Sequence, residues 1–130
     1  MRQTDSPARA PAEKLLVALS LAAGAACAQG LPETGFRIMA DGTGGNCLAC
    51  HALPGQAGLP STFGPSLDRV GSRHSAQILR QWVTDARQIK ADTLMPPFGT
   101  TRGTQLPSQS RSILSEEEIS HVVAALQTLR

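Results

Sequence analysis

The chain has 130 residues, which is enough for one small domain with a single core and a single site. Its formal net charge is only +2 at pH 7, so the strongly basic surface typical of nucleic-acid-binding proteins is excluded. Only 3% of the residues are aromatic, and a domain this small often needs a staple or a cofactor to complete its core.

The first 28 residues have the pattern of a secretory signal peptide. Three basic residues precede the apolar run Leu15 to Ala26, and Ala26-Cys27-Ala28 has the small-x-small form of a signal-peptidase site. We expect cleavage before Gln29 and export to a bacterial periplasm, leaving a mature domain of residues 29–130 with a net charge of about +1. The run is too short for stable membrane insertion, since crossing a bilayer takes roughly 20 residues.

Cys27 has a second interpretation, as the acylated cysteine of a lipoprotein precursor. Gly24 argues against it, because that position normally holds a large aliphatic residue in such precursors. Once the leader is removed, the mature chain keeps two cysteines, Cys47 and Cys50.

Three segments have the apolar spacing of amphipathic helices, and no alternating run is long enough to indicate a strand. The first covers Glu33 to Asp41. The second begins at Ser75, a good N-cap, and continues through Arg87 with Trp82 expected to point inward. The third runs from Ser115 to Arg130 and opens with a capping box between Ser115 and Glu118. These segments predict an all-α fold.

Two long loops, Ala52 to His74 and Lys90 to Leu114, separate the predicted helices. Each contains several Pro or Gly residues, and loops of this length inside a compact domain are usually functional or wrapped around a bound group. The second loop includes the polar segment Thr100 to Ser112, which we expect to lie on the surface.

The sequence CLACH, from Cys47 to His51, is the attachment signature of c-type haem. In that chemistry each thiol adds to one vinyl group of the porphyrin, and the histidine that follows binds the iron. Cys47 and Cys50 are therefore the predicted thioether residues, His51 is the predicted proximal ligand, and one covalent haem c is the expected cofactor.

Three other kinds of site use paired cysteines. A thioredoxin-like redox pair follows a strand, and no strand is predicted before Cys47. A tetrahedral zinc ion needs four ligands, and the only other histidines, His74 and His121, show no ligand spacing. A plain disulfide would leave His51 without a role. Haem attachment is the interpretation that uses both cysteines and the histidine.

The sixth ligand of the iron decides between electron transfer and chemistry on a small molecule, because an iron bound only by His51 keeps an open position. Met39 lies in the first predicted helix, where methionine usually fills the core. Met95 is followed by Pro96 and Pro97, which fix the backbone and can present the thioether rigidly. We therefore predict His51 and Met95 as the axial ligands.

The other histidines and most of the neighbouring basic residues are predicted to be surface residues. His74 borders the second helix, and His121 flanks the apolar stripe of the third. No grouping in the sequence supports nucleophilic catalysis, so no catalytic residue is predicted. Most of the clustered basic residues should be solvated charges, although some could contact haem propionates or an acidic partner; they are Arg69, Arg73, Arg80, Arg87 and Lys90.

Three motifs, CLACH, GPSL (Gly64 to Leu67) and MPPF (Met95 to Phe98), are followed by a capped C-terminal helix. Together they resemble class I monohaem cytochromes c over nearly all of residues 30–130. The resemblance implies a few helices packed around one covalent haem, with long loops. It also implies that the Pro65 carbonyl accepts the ring N–H of His51 and so orients this ligand.

A narrower resemblance is to the SoxX family, the small cytochrome subunits of SoxAX complexes in bacterial sulfur oxidation. It is carried by GNCLACHALPG, LRQWVTDARQIKADTLMPPFG and ILSEEEISHVVAALQTL. The resemblance implies a larger haem-bearing SoxA-type partner and a sulfur-carrier protein whose cysteine is coupled oxidatively to thiosulfate. This chain would be the electron-transfer subunit of an L-cysteine S-thiosulfotransferase, and a downstream cytochrome would take its electrons.

Two other functions stay open at this point. A free-standing electron shuttle would present a small, wet, charged patch to several partners, whereas an obligate subunit would bury a substantial apolar interface near the haem edge. A peroxidase or gas-binding haem protein would need an open or labile iron site.

Overall fold

The computed structural model describes residues 30–55, 61, 63–103 and 111–130. The predicted signal peptide, including Cys27, lies outside these residues, as does part of the polar segment Thr100 to Ser112. No strand occurs in the described residues, which agrees with the all-α prediction, and none of their helices is long and apolar enough to cross a membrane. Their helices are α1 (Pro32–Ala40), α2 (Val70–Arg73), α3 (Ala76–Asp85) and α4 (Glu116–Thr128), with 3-10 turns at Cys47–Ala49 and Ala86–Gln88.

α3 and α4 begin where their capping residues predict. The Ser75 side chain accepts a hydrogen bond from the backbone N–H of Ile78 at 3.3 Å. Ser115 Oγ accepts from Glu118 N at 3.2 Å, while the Glu118 carboxylate accepts from Ser115 N at 2.7 Å. The reciprocal bonds close the predicted capping box at the start of α4.

The far ends of these helices differ from the prediction. α3 ends at Asp85, and the 3-10 turn Ala86–Gln88 continues the predicted helical range. Trp82, predicted to point inward, is half-buried beside Leu79 and Val83, which belong to the buried face of α3. α4 ends at Thr128 and not at Arg130, since Leu129 leaves helical backbone geometry with ψ 84°.

The predicted loop Ala52 to His74 contains the short helix α2, which the sequence pattern missed. Its N-cap, Arg69, has the left-handed φ of 52°. Gly71 lies so close to α4 that a Cβ at this position would be 2.6 Å from the Leu126 carbonyl oxygen. Gly71 N also donates to Leu129 O at 2.9 Å. Contact with α4 therefore stabilises α2. A helix of four residues is too short to show a periodic apolar pattern, so the sequence did not predict it.

The close crossing of α1 and α4 organises the core. A Cβ at Gly35 would lie 2.0 Å from His121 O, so only glycine lets the two backbones approach this far. Met39, one turn along α1, is 1% exposed, which agrees with its predicted role as a core residue. The buried cluster consists of Met39, Leu53, Val70, Leu79, Val83, Phe98, Leu114, Ile119, Val122, Val123, Ala125 and Leu126.

Candidate cofactor site

The CLACH motif forms one tight turn shortly after α1. The Cys47 carbonyl accepts hydrogen bonds from Cys50 N at 3.2 Å and from His51 N at 2.9 Å. Asn46 precedes the turn with a left-handed φ of 45°, a conformation that asparagine tolerates better than most residues. Both thiols are free, with Cys47 half-buried and Cys50 exposed. A single turn therefore carries both thiols and the imidazole.

Backbone hydrogen bonds fix this turn to the end of α1. Gly45 N donates to Ile38 O at 3.2 Å, and Asn46 N donates to Asp41 O at 2.8 Å. The Asp41 carboxylate accepts from Thr43 N at 2.9 Å and from Thr43 Oγ1 at 2.8 Å. These bonds from Thr43 hold the pKa of the Asp41 carboxyl below its ordinary value. The loop between α1 and the cysteines is thus ordered by its own polar groups.

The imidazole of His51 is held by a second loop. Its Nδ1 lies 2.7 Å from the Pro65 carbonyl oxygen. A carbonyl can only accept a hydrogen bond, so Nδ1 carries a proton, and in the neutral ring Nε2 then keeps its lone pair. The contact selects the tautomer that a metal-binding histidine needs at Nε2.

Gly64 allows this second loop to lie against the ring. Gly64 N donates to Cys50 O at 2.7 Å, which joins the loop to the cysteine turn. A Cβ at Gly64 would lie 2.6 Å from His51 Cε1 and 2.7 Å from His51 Nδ1. Sequence reasoning missed this role of Gly64. Its signal was the glycine immediately before Pro65, within the GPSL motif.

Burial raises the pKa of the Cys47 thiol to about 11, with a smaller contribution from the neighbouring Cys50. The Cys47 thiol is therefore protonated at neutral pH, and its Sγ lies 3.7 Å from Gly45 O. Thiolate is the nucleophilic form of cysteine, so this thiol is a weak nucleophile. A thioredoxin-like redox pair needs the opposite shift, a lowered cysteine pKa.

Met95 approaches the core from the second long loop. It is half-buried and packs against the same buried cluster as Cys47 and Leu48. Its backbone N–H donates to Thr93 Oγ1 at 3.2 Å, and Pro97 is buried two residues later. Hydrogen bonds join the cysteine turn directly to the segment of Pro65. Met95 is linked to the cysteine turn through packing against the same buried cluster.

The two histidines outside the motif have different environments. His74 is exposed, as predicted. The prediction of a surface position for His121 is wrong, because its side chain is only 17% exposed and its Nδ1 accepts from Leu31 N at 2.8 Å. This bond joins α4 to the start of α1. Within the described ranges, no group of three or more His, Cys, Asp or Glu side chains could hold a metal ion, whereas the zinc alternative needed such a group.

The five clustered basic residues all have partners in the described part of the chain. Two pairs are exposed and contribute little to stability; they are Arg69 with Asp68 at 3.5 Å and Lys90 with Asp92 at 3.3 Å. Three arginines bridge separate segments: Arg73 donates to Ser66 O, Arg80 to Glu116 and Ser120, and Arg87 to Asp85 and Arg102 O. The prediction that most of the five are solvated charges holds for Arg69, Arg73 and Lys90, whereas Arg80 and Arg87 are partly buried and link separate segments.

Comparison with known proteins agrees with this geometry. A family model described as cytochrome c matches residues 32–130. The chain belongs to the cytochrome c family. It is also similar to a chain in the SoxXA crystal structure from P. pantotrophus, with 34% sequence identity, coverage of 78% of this chain and 82% of that chain, and a TM-score of 0.73. No match was found among curated protein sequences.

Family membership and the structural likeness confirm a SoxX-like class I cytochrome c with an all-α fold. The family also establishes covalently bound haem c as the cofactor. The residues present fit this group. Cys47 and Cys50 provide two free thiols on one turn, and the bond from Nδ1 to Pro65 makes Nε2 the ring nitrogen available to an iron ion.

Replacing Gly64 with alanine should loosen the His51 ring from Pro65, because the added Cβ would overlap the imidazole. Solvent exchange of the His51 Nδ1 proton should then rise roughly five- to tenfold, since a net hydrogen bond contributes about 1 kcal/mol. NMR of the reduced, haem-loaded protein measures this exchange. Gly42→Ala is the matched control, because a Cβ there meets nothing within 4 Å. Equal exchange in the Gly64 variant and the wild type would contradict the assigned contact.

Proposed function

We propose that this chain is the electron-transfer subunit of a periplasmic SoxAX-type complex, an L-cysteine S-thiosulfotransferase. The observation that carries the proposal is the cysteine turn whose His51 Nδ1 lies 2.7 Å from Pro65 O. That turn belongs to a cytochrome c domain with 34% sequence identity to a chain of a SoxXA structure. The chain works beside a larger haem-bearing subunit of the SoxA type.

Each residue of the site has a separate task in this proposal. Cys47 and Cys50 would hold haem c through two thioether bonds, and His51 Nε2 would bind the iron. Pro65 keeps the imidazole in the required tautomer and orientation. Met95, on the second long loop, would supply the second protein ligand to the iron. A bound haem c supplies one-electron oxidation and reduction, and a His/Met ligand pair raises its reduction potential.

The chemistry that supplies the electrons takes place outside this chain. A cysteine thiol of the sulfur-carrier protein and thiosulfate become joined by a new S–S bond. The thiol proton is released, and two electrons leave the pair of sulfur atoms. This chain accepts those electrons one at a time and delivers them to a downstream cytochrome. The site needs no catalytic residue for this task, and none is assigned.

Two large apolar side chains directly precede the segments that we propose to hold the haem. Phe63 is 84% exposed and directly precedes Gly64, and Leu94 is 88% exposed and directly precedes Met95. The bound haem would cover part of this apolar surface, and what stays exposed around it would suit the stable interface of an obligate subunit, whereas a transient shuttle presents a wet, charged patch. The alternative function, a free-standing electron shuttle, would use the same iron ligands and differ in its association with other proteins.

Replacing Met95 with leucine should remove the sulfur ligand with little change in side-chain volume, which limits the loss of stability to about 1 kcal/mol. The ferric protein should lose the weak red absorption band of a thioether-bound iron, and its reduction potential should fall. Optical titration of the purified protein measures both.

The matched control is Met39→Leu, the same change at a core residue that is 1% exposed. It should keep both the band and the potential. An unchanged spectrum in the Met95 variant would refute Met95 as the ligand, and loss of the band in the Met39 variant would transfer the assignment to Met39. A wild-type iron without any sulfur ligand would favour the peroxidase or gas-binding alternative.

Tagged protein isolated from the periplasm of thiosulfate-grown source cells should co-purify with a larger haem-bearing subunit in equal amount. Haem staining of a denaturing gel identifies both bands. Phe63→Ser and Leu94→Ser should weaken this retention, because they place polar groups in the proposed interface. Leu31→Ser is the control, since Leu31 is 61% exposed at the start of α1. Recovery of the protein alone, with its single haem, would support the free shuttle instead.

A further inference from the structure

Asp85 and Arg87 form an ion pair that the site described above does not use. Asp85 is 4% exposed at the end of α3. The Arg87 guanidinium donates to its two carboxylate oxygens, through Nε at 2.7 Å and through Nη2 at 3.0 Å. The Arg87 side chain thereby holds the pKa of the Asp85 carboxyl below its ordinary value, so Asp85 stays ionised at neutral pH. The pair is a two-point, charge-assisted contact.

The same guanidinium reaches a second segment of the chain. Arg87 Nη2 also donates to the Arg102 carbonyl oxygen. Gly103, the next residue, has a left-handed φ of 73°, and a Cβ there would lie 2.9 Å from Arg87 Nη1. Glycine therefore provides both the backbone conformation and the room for the loop to close over the guanidinium.

Met95 lies on the loop whose two ends return to this pair. On the outgoing side, Lys90 N donates to Ala86 O at 2.9 Å, inside the 3-10 turn that contains Arg87. On the returning side, Gly99 N donates to Thr84 O at 3.0 Å, next to Asp85. Residues 90–102 thus form a loop that carries Met95, and the Arg87 bond to Arg102 O joins its far end to the turn where it begins.

A stiff segment, Pro96 to Gly99, connects Met95 to the end of α3. Pro96 and Pro97 fix two consecutive backbone φ angles after Met95. Pro97 and Phe98 are buried, and Phe98 N donates to Val83 O at 3.3 Å. This segment therefore links the Met95 thioether stiffly to the end of α3, beside Asp85 and Arg87.

We propose that Asp85 and Arg87 are positioning residues that hold the Met95 loop closed and so keep the Met95 sulfur at the haem iron. The inference rests on the proposed function, because it requires Met95 as the sixth ligand. A ligand on a closed loop loses little conformational entropy when it binds. Without the Arg87 contacts to Asp85 and Arg102 O, a larger fraction of molecules has Met95 away from the iron, and an external ligand can take its place.

The test is the affinity of the ferric, haem-loaded protein for cyanide, which must displace Met95 to bind. Arg87→Met should tighten cyanide binding at least about tenfold, because the apparent affinity follows the fraction of molecules with an open position. Arg80→Met is the matched control. Arg80 has a similar exposure and also bridges two segments, but it joins α3 to α4 through Glu116 and Ser120 and does not touch the Met95 loop.

A second variant guards against misfolding of the first, since Arg87→Met leaves the buried Asp85 carboxylate without its partner. The double variant Asp85→Asn with Arg87→Met leaves no unpaired buried charge and still lacks the bond to Arg102 O. It should bind cyanide as tightly as Arg87→Met. The ferric absorption band of the bound thioether, followed during heating, should also disappear at a lower temperature in both variants than in the control.

The outcomes separate this inference from the proposed function. If the wild-type protein shows the thioether band and the folded Arg87 variants bind cyanide no more tightly than Arg80→Met, the positioning role is overturned. If the wild-type protein shows no thioether band, the ligand assignment of the proposed function fails first, and this inference fails with it. Tighter cyanide binding in the Arg87 variants, with no change in Arg80→Met, supports the positioning role of Asp85 and Arg87.

Discussion

The hydrogen bond between His51 Nδ1 and the Pro65 carbonyl is the contact on which the site depends. It spans 2.7 Å and joins the cysteine turn to a loop 14 residues further along the chain. Since the carbonyl can only accept, this bond fixes the tautomer and the plane of the ring together. Gly64 makes the contact possible, because a side chain there would overlap the imidazole. A histidine without such support could turn away from an iron ion.

The core holds the cysteine turn in place through α1. Gly35 allows α1 to approach α4 closely, and His121 adds a hydrogen bond from α4 to Leu31 at the start of α1. The end of α1 then fixes the turn, since Ile38 O accepts from Gly45 N. Rigid support of this kind keeps ligand geometry constant while the charge of the iron changes, as an electron-transfer site requires.

The helix starts and the cysteine turn were predictable because their sequence signals involve residues close together in the chain. Ser75 and Ser115 mark helix starts because a capping bond spans only three residues, and the spacing from Cys47 to His51 is confined to one turn. Other features depend on residues distant in sequence. The helix α2 exists through its contact with α4, and His121 appeared to be a surface residue until α1 covered it. The role of Arg87 could not be predicted from the sequence, because it depends on a hydrogen bond to the Arg102 carbonyl, 15 residues further along the chain.

Thus the sequence predicted the cofactor and the fold class, and the structure explains how the segments that carry the proposed ligands are held. We propose that this chain receives electrons released when thiosulfate is coupled to a carrier cysteine. Stopped-flow absorption of the oxidised complex with its larger subunit tests it most directly. We expect reduction of this chain's haem when thiosulfate and the reduced carrier are both added, and no reduction when either is left out. Formation of the carrier–thiosulfate bond while this haem stays oxidised would contradict the account.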